Sequence, residues 1–371
     1  MRSLFKFELY KIFTQKSVWI TFLIIFIGLP LLMMFSSSQS IGVTKEHTKA
    51  AYEKLEGDLS KERITKLQEE LNEMDVSSST SEEFSYRVTL MKIISEYDAK
   101  ERINEKKIAL EQEMQNISNA SGAKYEQLTL EHSMLEKINF NETTYSEGPL
   151  GIIAFLGVGT IFTGILLIIG LSTIFSNEAT TGMNQILLSS KHGRKKVTSA
   201  KLFAAVVYVT FIIGIQFIIN IGINTMLYTS QGWSSPIHKL DIFRDSPYAF
   251  NLLEYFSVQM MLHTLFALGF AMLILLISSL SKTSVKSIII SSILFILPLI
   301  LSSFRISGLE DFIRYSYYNM MKVDEFFRFF EVFHIFGTPV LEPIAASIVF
   351  TIISIVFTLL LYPIINRKQV S

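Results

Sequence analysis

The sequence predicts an all-α polytopic membrane protein with six transmembrane helices. Half of its 371 residues are hydrophobic, and they collect in long runs instead of recurring at the period of a soluble helix or strand. About 20 helical residues cross the roughly 30 Å hydrocarbon layer, so runs of that length with few charges indicate spans. Membrane β-barrels alternate polar and apolar residues and contain no such runs. The six predicted spans are residues 18–35, 150–175, 202–228, 252–280, 285–304 and 340–365.

The charges between these spans predict the orientation of the chain. Consecutive spans alternate sides, so one face holds residues 1–17, 176–201, 281–284 with Lys286, and 366–371. These segments carry 13 Lys or Arg and two acidic residues, whereas residues 36–149 on the other face carry 14 basic and 22 acidic residues. Short cationic loops stay in the cytoplasm. We therefore expect a multi-pass plasma-membrane protein, bacterial in origin, with both termini cytoplasmic.

The N-terminal segment, residues 1–17, is predicted to be an amphipathic helix on the inner leaflet. Phe5, Leu9, Ile12 and Phe13 recur at helical spacing, and basic residues hold such a helix at the membrane surface. The alternative is a cleaved signal peptide. We favour a retained first span, because the apolar run 18–35 is longer than the roughly 7–15 residues of a signal-peptide core.

Residues 36–149 are predicted to form a large extracellular helical insert, coiled-coil-like, between spans one and two. Apolar residues recur at helical spacing through it, VSSSTSEE at 76–83 indicates a capped helix start, and NASG at 119–122 indicates a second break. We expect two long helices and a shorter third. Two interpretations stay open, a binding domain and a solvated spacer.

A second unusual loop, residues 305–339, lies between spans five and six. It contains seven Phe and three Tyr interleaved with charges. Aromatic rings settle at the lipid–water boundary, and a backbone that dips into the membrane must be buried against protein or line a cavity. The pattern predicts outer interfacial or re-entrant helices, which serve either as an exit gate or as an anchor.

Several kinds of chemistry are excluded by what the sequence lacks. Without Cys there is no disulfide, no thiolate metal site and no Cys nucleophile. Neither a G-x-x-x-x-G-K-[ST] phosphate loop nor an H-E-x-x-H zinc motif occurs. We predict no catalytic residue, no metal site and no cofactor on this chain, and we expect no nucleic-acid partner.

Polar residues inside the predicted spans form two groups. Gln216, Asn220 and Asn224 share one face of the third span, and Gln259 and His263 share one face of the fourth. Such side chains need partners in hydrocarbon, and an interhelical hydrogen bond there contributes about 0.6–2 kcal/mol. Two interpretations stay open: a helix seam, or a polar strip along a substrate path.

The loop 176–201 contains more than the basic residues that would keep it cytoplasmic. Glu178 directly follows the second span, Gly182 comes four residues later, and Met183, Ile186 and Leu187 form a small apolar ridge. Lysine and arginine alone satisfy the charge rule. The additional residues predict a short helix that contacts a cytosolic partner.

This loop resembles that of the type-two ABC exporter permeases. The matching residues are Glu178, Gly182, Leu187, Leu188, Ser189, Arg194 and Lys201. The family usually has a proline between the serine and the arginine, and this chain has none there. The amphipathic N-terminal helix, the six spans and the short outer helices before the last span also resemble the family. The insert 36–149 occurs only in some branches.

The resemblance implies a transport complex of several subunits. A separate cytoplasmic ABC ATPase would bind ATP and Mg and hydrolyse the ATP, so this chain would be a non-catalytic membrane subunit. It would pair with a second permease copy or a paralogue. Segment 178–190 would be the coupling helix, with Glu178 and Arg194 making charged contacts or fixing the helix ends. The expected ATPase-coupling residues are Glu178, Gly182, Met183, Ile186, Leu187, Arg194 and Lys201.

Export of a hydrophobic or amphipathic peptide or lipid-like compound, or resistance to one, is therefore the expected function. The alternative is a membrane sensor that binds a ligand with residues 36–149 and transports nothing; its predicted cytosolic segments are too short for a signalling module. A membrane enzyme would have to rely on Gln259 and His263. A secondary transporter or channel would need paired ionisable groups near the membrane midplane, which the spans lack.

Overall fold

The computed structural model describes residues 2–38, 45–74, 80–117, 122–183, 194–304 and 307–367. The chain begins with helix α1 (Arg2–Phe13), which meets α2 (Lys16–Ser38) at a bend of 58°. Ile12 is buried and Phe5, Leu9 and Phe13 pack on the main core, so the apolar side of α1 rests on the bundle. Helix α2 covers the predicted span 18–35.

The part of the insert that the structure describes contains four helices and two very short strands. They are α3 (Lys45–Leu55), β1 (Gly57–Asp58), α4 (Lys61–Glu73), α5 (Ser81–Asn116), α6 (Ala123–Glu136) and β2 (Glu142–Thr143). The prediction of two long helices and a shorter third was wrong, since only α5 is long. Helices α3 and α4 are separate because Gly57 has a φ of 140°, and because β1 leaves the helical path to pair antiparallel with β2.

The long helix α5 begins at the predicted capped start. The Thr80 hydroxyl accepts a hydrogen bond from the Glu83 amide at 3.3 Å, and the Glu83 carboxylate accepts one from the Thr80 amide at 2.8 Å. This reciprocal pair satisfies two donors at the helix start. The insert has apolar cores of its own, one around Tyr52, Leu90 and Ile93 and another around Leu110 and Leu135.

After the insert the chain forms the remaining long helices. Helix α7 (Glu147–Leu171) continues past a turn at Ser172 as α8 (Thr173–Thr180), followed by α9 (Lys195–Leu227), α10 (Leu252–Leu280) and α11 (Ser284–Ser302). Short helices α12 (Glu310–Arg314) and α13 (Tyr317–Lys322) precede strands β3 (Val332–Ile335) and β4 (Thr338–Leu341) and helix α14 (Glu342–Arg367). Among the described residues, five helical segments are long and apolar enough to span a membrane, or six if α1 and α2 count as one broken span.

The described part of the aromatic loop 305–339 contains the predicted helical segments, α12 and α13, and also two strands that were not predicted. Its second part forms the β3–β4 hairpin, in which Phe336 and Gly337 make the two-residue turn with φ values of 51° and 86°. Two positive φ values match the twist of a hairpin. Helix α13 and the 3-10 turn Asp324–Phe327 lie among the long helices, with Met320 and Met321 buried. This part of the backbone is buried against protein, as a re-entrant segment requires.

The helix ends form two separate groups. At one end, Thr180 donates to the Lys282 carbonyl at 3.4 Å, and the Ser199 and Tyr362 hydroxyls lie 2.9 Å apart. We call this the termini end. At the other end, which we call the insert end, Lys92 of α5 lies 2.6 Å from Glu147 of α7. The segments predicted to share one face therefore lie together wherever they are described.

Candidate functional site

Four charged side chains from three helices meet at the termini end. The Lys201 ammonium of α9 lies 2.7 Å from Glu178 Oε1 of α8 and 3.1 Å from Glu8 Oε2 of α1. Lys11 of α1 lies 2.5 Å from the same Glu178 oxygen and 3.3 Å from Glu8 Oε1. Two cations and two carboxylates thus form one cluster of zero formal charge, which we call the ion cluster.

The ion cluster is largely withdrawn from solvent. The side chain of Lys201 is 1% exposed, that of Glu8 5% and that of Glu178 10%. The Lys201 ammonium also donates to the Ile174 carbonyl at 2.9 Å, so each of its three N–H groups has an acceptor. Buried charges persist when they are paired and hydrogen-bonded. The cluster therefore fixes α1, α8 and α9 relative to one another.

The structure turns two of the predicted coupling residues inward. Glu178 and Lys201, the acid and the final lysine of the family pattern, bind each other across the base of the loop between them. Of the two roles expected for Glu178, this geometry is that of fixing a helix end. Its carboxylate is occupied by Lys201 and Lys11 and does not face outward.

Sequence reasoning missed Glu8 and Lys11. Glu8 precedes Ile12 by one helical turn, and both side chains are buried against the bundle. An acidic residue on the buried face of an amphipathic helix requires a buried partner. The position of Glu8 on the apolar face could therefore have indicated a buried ion pair. Lys201, at the boundary of a predicted span, was a candidate for its partner.

The other predicted coupling residues lie around the same end. Gly182 follows α8 with a φ of 70°, and an added Cβ there would meet no atom within 4 Å. Met183 is 37% exposed. Arg194, just before α9, donates through Nη1 to the Asn366 carbonyl in the last turn of α14. Ile186 and Leu187 lie outside the described residues.

The turn between α7 and α8 is fixed by a serine of a third helix. Ser278 Oγ of α10 donates to the Ser172 carbonyl at 2.7 Å and accepts from the Phe175 and Ser176 amides at 3.1 and 3.2 Å. The first amides of a helix lack partners within their own helix. Ser278 of α10 therefore caps α8: it accepts the hydrogen bonds of the free amides at the start of that helix.

The polar residues of the third span lie on a seam between α9 and α7. Gln216 donates to the Gly159 carbonyl at 2.6 Å and accepts from Thr163 at 2.7 Å. Asn220 donates to the Ile152 carbonyl at 2.9 Å, and Asn224 donates to Asn220 Oδ1 at 2.8 Å. These amides form hydrogen bonds with other residues of the same chain, as the helix-seam interpretation requires.

Glycines of α7 make this seam possible. A Cβ added at any of three of them would lie 2.5 Å or less from a side chain of α9. The pairs are Gly151 with Asn224, Gly159 with Gln216, and Gly170 with Tyr208. Small residues let helix backbones approach closely in a membrane, so α7 and α9 are closely packed along most of their length.

The second polar pair joins α10 to the re-entrant segment. His263 Nδ1 lies 2.7 Å from the Met321 carbonyl, and its Nε2 lies 3.3 Å from the Thr163 hydroxyl of α7. Gln259 donates to Asp324 Oδ1 at 3.2 Å. Both side chains are buried. A chain of polar contacts therefore crosses from α9 through α7 and α10 to the Met321 carbonyl.

Comparison with known proteins decides what this arrangement belongs to. A family described as ABC-2 family transporter protein matches residues 2–366. The chain belongs to this family. No curated protein and no solved structure gives a significant match to the chain.

ABC-2 permeases are the membrane subunits of ABC transporters, are normally non-catalytic, and associate with a separate ABC ATPase. In this ABC-2 permease, the ion cluster joins the end of α8 and the start of α9 to the N-terminal helix. The expected coupling segment, residues 178–190, begins at Glu178, near the end of α8. The ion cluster therefore holds the beginning of that segment against the bundle.

Proposed function

We propose that this ABC-2 permease exports a hydrophobic or amphipathic peptide or lipid-like compound, or gives resistance to one. The observation that carries the proposal is the buried contact of Lys201 with Glu178 and Glu8. A loop held at its base in this way passes a displacement to the helices instead of bending independently. Coupling requires that the ATPase binds one of two states of the permease more tightly than the other.

The ion cluster suggests how ATP would drive the cycle. The ATPase partner binds ATP and Mg in the cytoplasm, and its dimer closes against the segment 178–190 of each permease copy. Because α7–α8 and α9 share both the ion cluster and the glycine seam, they move as one unit. A second permease copy, identical or paralogous, forms the other half of the pathway.

The cargo class follows from the low charge of the spans. The central parts of α7, α9, α10, α11 and α14 contain no Lys, Arg, Asp or Glu. Paired ionisable groups near the membrane midplane would mark an ion pathway. The histidine among these helix centres, His263, contacts the Met321 carbonyl and the Thr163 hydroxyl and no charged group in the bonds described, so we favour ATP over an ion gradient as the energy source. Apolar or amphipathic cargo crosses such a path without an unpaired charge.

The experiment is co-expression with a stand-alone ABC ATPase from the same genome, beginning with any encoded in a neighbouring gene, followed by purification and an ATPase assay. Met183→Asp adds a charge to the exposed end of the predicted ridge, and Thr181→Asp adds the same charge two residues earlier, at another exposed position. We expect Met183→Asp to lose the effect of the permease on the ATPase rate, and Thr181→Asp to keep it. Ile186→Asp and Leu187→Asp should behave like Met183→Asp.

Two results would contradict the proposal. If no ATPase copurifies with the wild-type chain, the permease assignment to an ATP-driven complex is at fault. If all four variants keep the wild-type ATPase response, segment 178–190 is not the coupling segment. Insertion of each variant, measured by its yield in the membrane fraction, separates lost coupling from lost folding.

A further inference from the structure

A cavity of about 850 Å³ lies where the insert meets the helix bundle. Its walls come from α5, from the first turns of α7 and from residues 238–244, and Asp324 of the re-entrant segment also lines it. The cavity therefore joins the insert, the bundle and the re-entrant segment, the three parts that a compound leaving the bundle at this end would meet. Its volume falls within the roughly 300–1,000 Å³ range of ligand pockets.

The charges of the cavity wall are mixed, with a small acidic excess. The carboxylates are Glu96, Glu147, Asp241 and Asp324, and the cations are Lys92, Lys239 and Arg244. His238 also lines the cavity, and burial lowers its pKa to about 4, so it is neutral near pH 7. Each carboxylate comes from a different element of the structure, so the acidic excess belongs to the assembled cavity and not to one helix.

Glu96 is the least satisfied of these groups. Its side chain is 7% exposed, and its Oε1 lies 3.7 Å from the Lys239 ammonium. Its Oε2 has no hydrogen-bond partner among the described residues. Lys239 donates to the Thr144 carbonyl instead and lies 5.9 Å from the centre of the Tyr52 ring. Burial raises the pKa of Glu96, and Lys239 opposes that shift. A buried carboxylate oxygen of this kind is a ready acceptor for a cationic donor.

Apolar side chains line the same cavity. Tyr228 contributes aromatic surface, and Met91, Ile242 and Ala154 contribute exposed aliphatic surface. Met91 is 53% exposed although it is large and apolar. The wall therefore offers hydrophobic surface together with an acceptor for positive charge, which is the complement of an amphipathic cation.

We propose that this cavity binds a cationic amphipathic peptide segment, with an ammonium or guanidinium group facing Glu96 and apolar side chains facing Met91 and Ile242. The proposal rests on the proposed function, because it selects one member of the cargo class named there. The site receives the peptide at the insert end, opposite the ATPase-coupling end.

The test is peptide binding to the full chain in nanodiscs of zwitterionic lipid, without the ATPase. The probe is a short fluorescent peptide of lysine and leucine in amphipathic helical order, and the matched control peptide has glutamine in place of lysine. Fluorescence anisotropy should show about tenfold tighter binding of the lysine peptide, the factor expected for one charge-assisted hydrogen bond. Empty nanodiscs measure binding to lipid alone.

Two variants locate the site. Glu96→Gln should remove the preference for the lysine peptide, and Ala154→Trp should weaken both peptides because the indole fills the cavity. Glu105→Gln, an exposed change on the same helix α5, should bind like the wild type. Folding of each variant is checked by its elution profile.

Three results would overturn the proposal. They are equal binding of the two peptides to the wild type, wild-type binding by Ala154→Trp, and binding no stronger than to empty nanodiscs. If the chain meanwhile still copurifies with an ATPase and changes its rate, only the peptide site has failed and the exporter assignment stands. Loss of that ATPase response with peptide binding intact would place the failure in the proposed function instead.

Discussion

Lys201 and Glu178 are 23 positions apart in the chain, and their charged atoms lie 2.7 Å apart in the bundle. This contact joins the start of α9 to the end of α8, and Glu8 adds the N-terminal helix through the same ammonium at 3.1 Å. The segment between the two residues therefore leaves from and returns to one point. Helices α1, α8 and α9 are thus joined by one group of buried ion pairs.

Replacing the central cation should be strongly destabilising. Lys201→Met leaves Glu8 and Glu178 with only the partly exposed Lys11 as a counter-charge, and breaking a buried ion pair costs about 3–5 kcal/mol. We expect a large fall in the thermal midpoint of the detergent-purified chain, measured by fluorescence-detected size exclusion. Lys196→Met, an exposed change five residues earlier on α9, is the matched control and should unfold like the wild type.

A double variant tests whether the destabilisation by Lys201→Met comes from the loss of its ion pair with Glu178. Glu178→Gln combined with Lys201→Met removes one carboxylate along with the ammonium, so it should be less destabilised than the sum of the single variants. Strict additivity of the two losses would show that the residues do not interact, and would contradict the cluster.

The glycine that faces α11 should not tolerate a methyl group. A Cβ at Gly164 would lie 2.1 Å from Cζ of Phe295, whose buried ring packs against Phe270 and Tyr318 and therefore cannot move away freely. Overpacking of this kind costs about 1–3 kcal/mol. Gly164→Ala should therefore lower the thermal midpoint of the purified chain.

Gly214 of α9 is the natural control for that substitution. A Cβ there would meet no atom within 4 Å, and alanine stabilises a helix by up to about 1 kcal/mol relative to glycine. Gly214→Ala should leave the midpoint unchanged or raise it. Equal effects of the two substitutions would contradict the packing of α7 against α11.

Local signals predicted much of the fold. Apolar runs located the spans, and the Thr80–Glu83 pair capped α5 where the sequence placed a helix start. Such features depend on neighbours within a few residues, and helical periodicity reports them directly. The helix seam was also one of the two open interpretations of Gln216, because an amide in hydrocarbon must find a partner.

Features set by distant contacts were not predictable. Gly57 pairs with Thr143 across the whole insert, and that pairing divides what periodicity indicated as one helix. The β3–β4 hairpin lies within a run of aromatic residues whose period does not separate strand from helix. Glu8 escaped because its buried partner Lys201 is 193 residues away in the chain.

The serine that fixes the α7–α8 turn should contribute measurably. Ser278→Ala removes the acceptor of the Phe175 and Ser176 amides and the donor to the Ser172 carbonyl. Loss of a helix cap costs about 1 kcal/mol. We expect a lower thermal midpoint and a weaker ATPase response, since α8 carries Glu178.

The control for that change is Ser257→Ala on the same helix. Its hydroxyl is exposed and donates only to the Leu253 carbonyl within α10 among the bonds described. Both substitutions remove one hydroxyl from α10, but only that of Ser278 contacts α8. A Ser257→Ala loss as large as that of Ser278→Ala would contradict a capping role.

His238 should make the stability of the insert end depend on pH. Its ring is buried, Nε2 lies 2.9 Å from the Ser246 carbonyl, and burial lowers the pKa from 6.5 to about 4. Between those two values the unfolded chain binds a proton that the folded chain does not, so stability falls as the pH drops through 6.5. The contribution is fully present above that pH.

The expected loss from His238 between about pH 7 and pH 5 is about 2 kcal/mol. It is measured as the fall in thermal midpoint of the wild type over that range, compared with His238→Gln, whose amide does not titrate and still donates to the Ser246 carbonyl. We expect a shallower fall in His238→Gln. His334→Gln, at an exposed position of β3, should keep the wild-type slope. Identical slopes in the wild type and His238→Gln would show that this histidine is not held neutral, because a group with the same proton affinity in both states contributes nothing to the pH dependence.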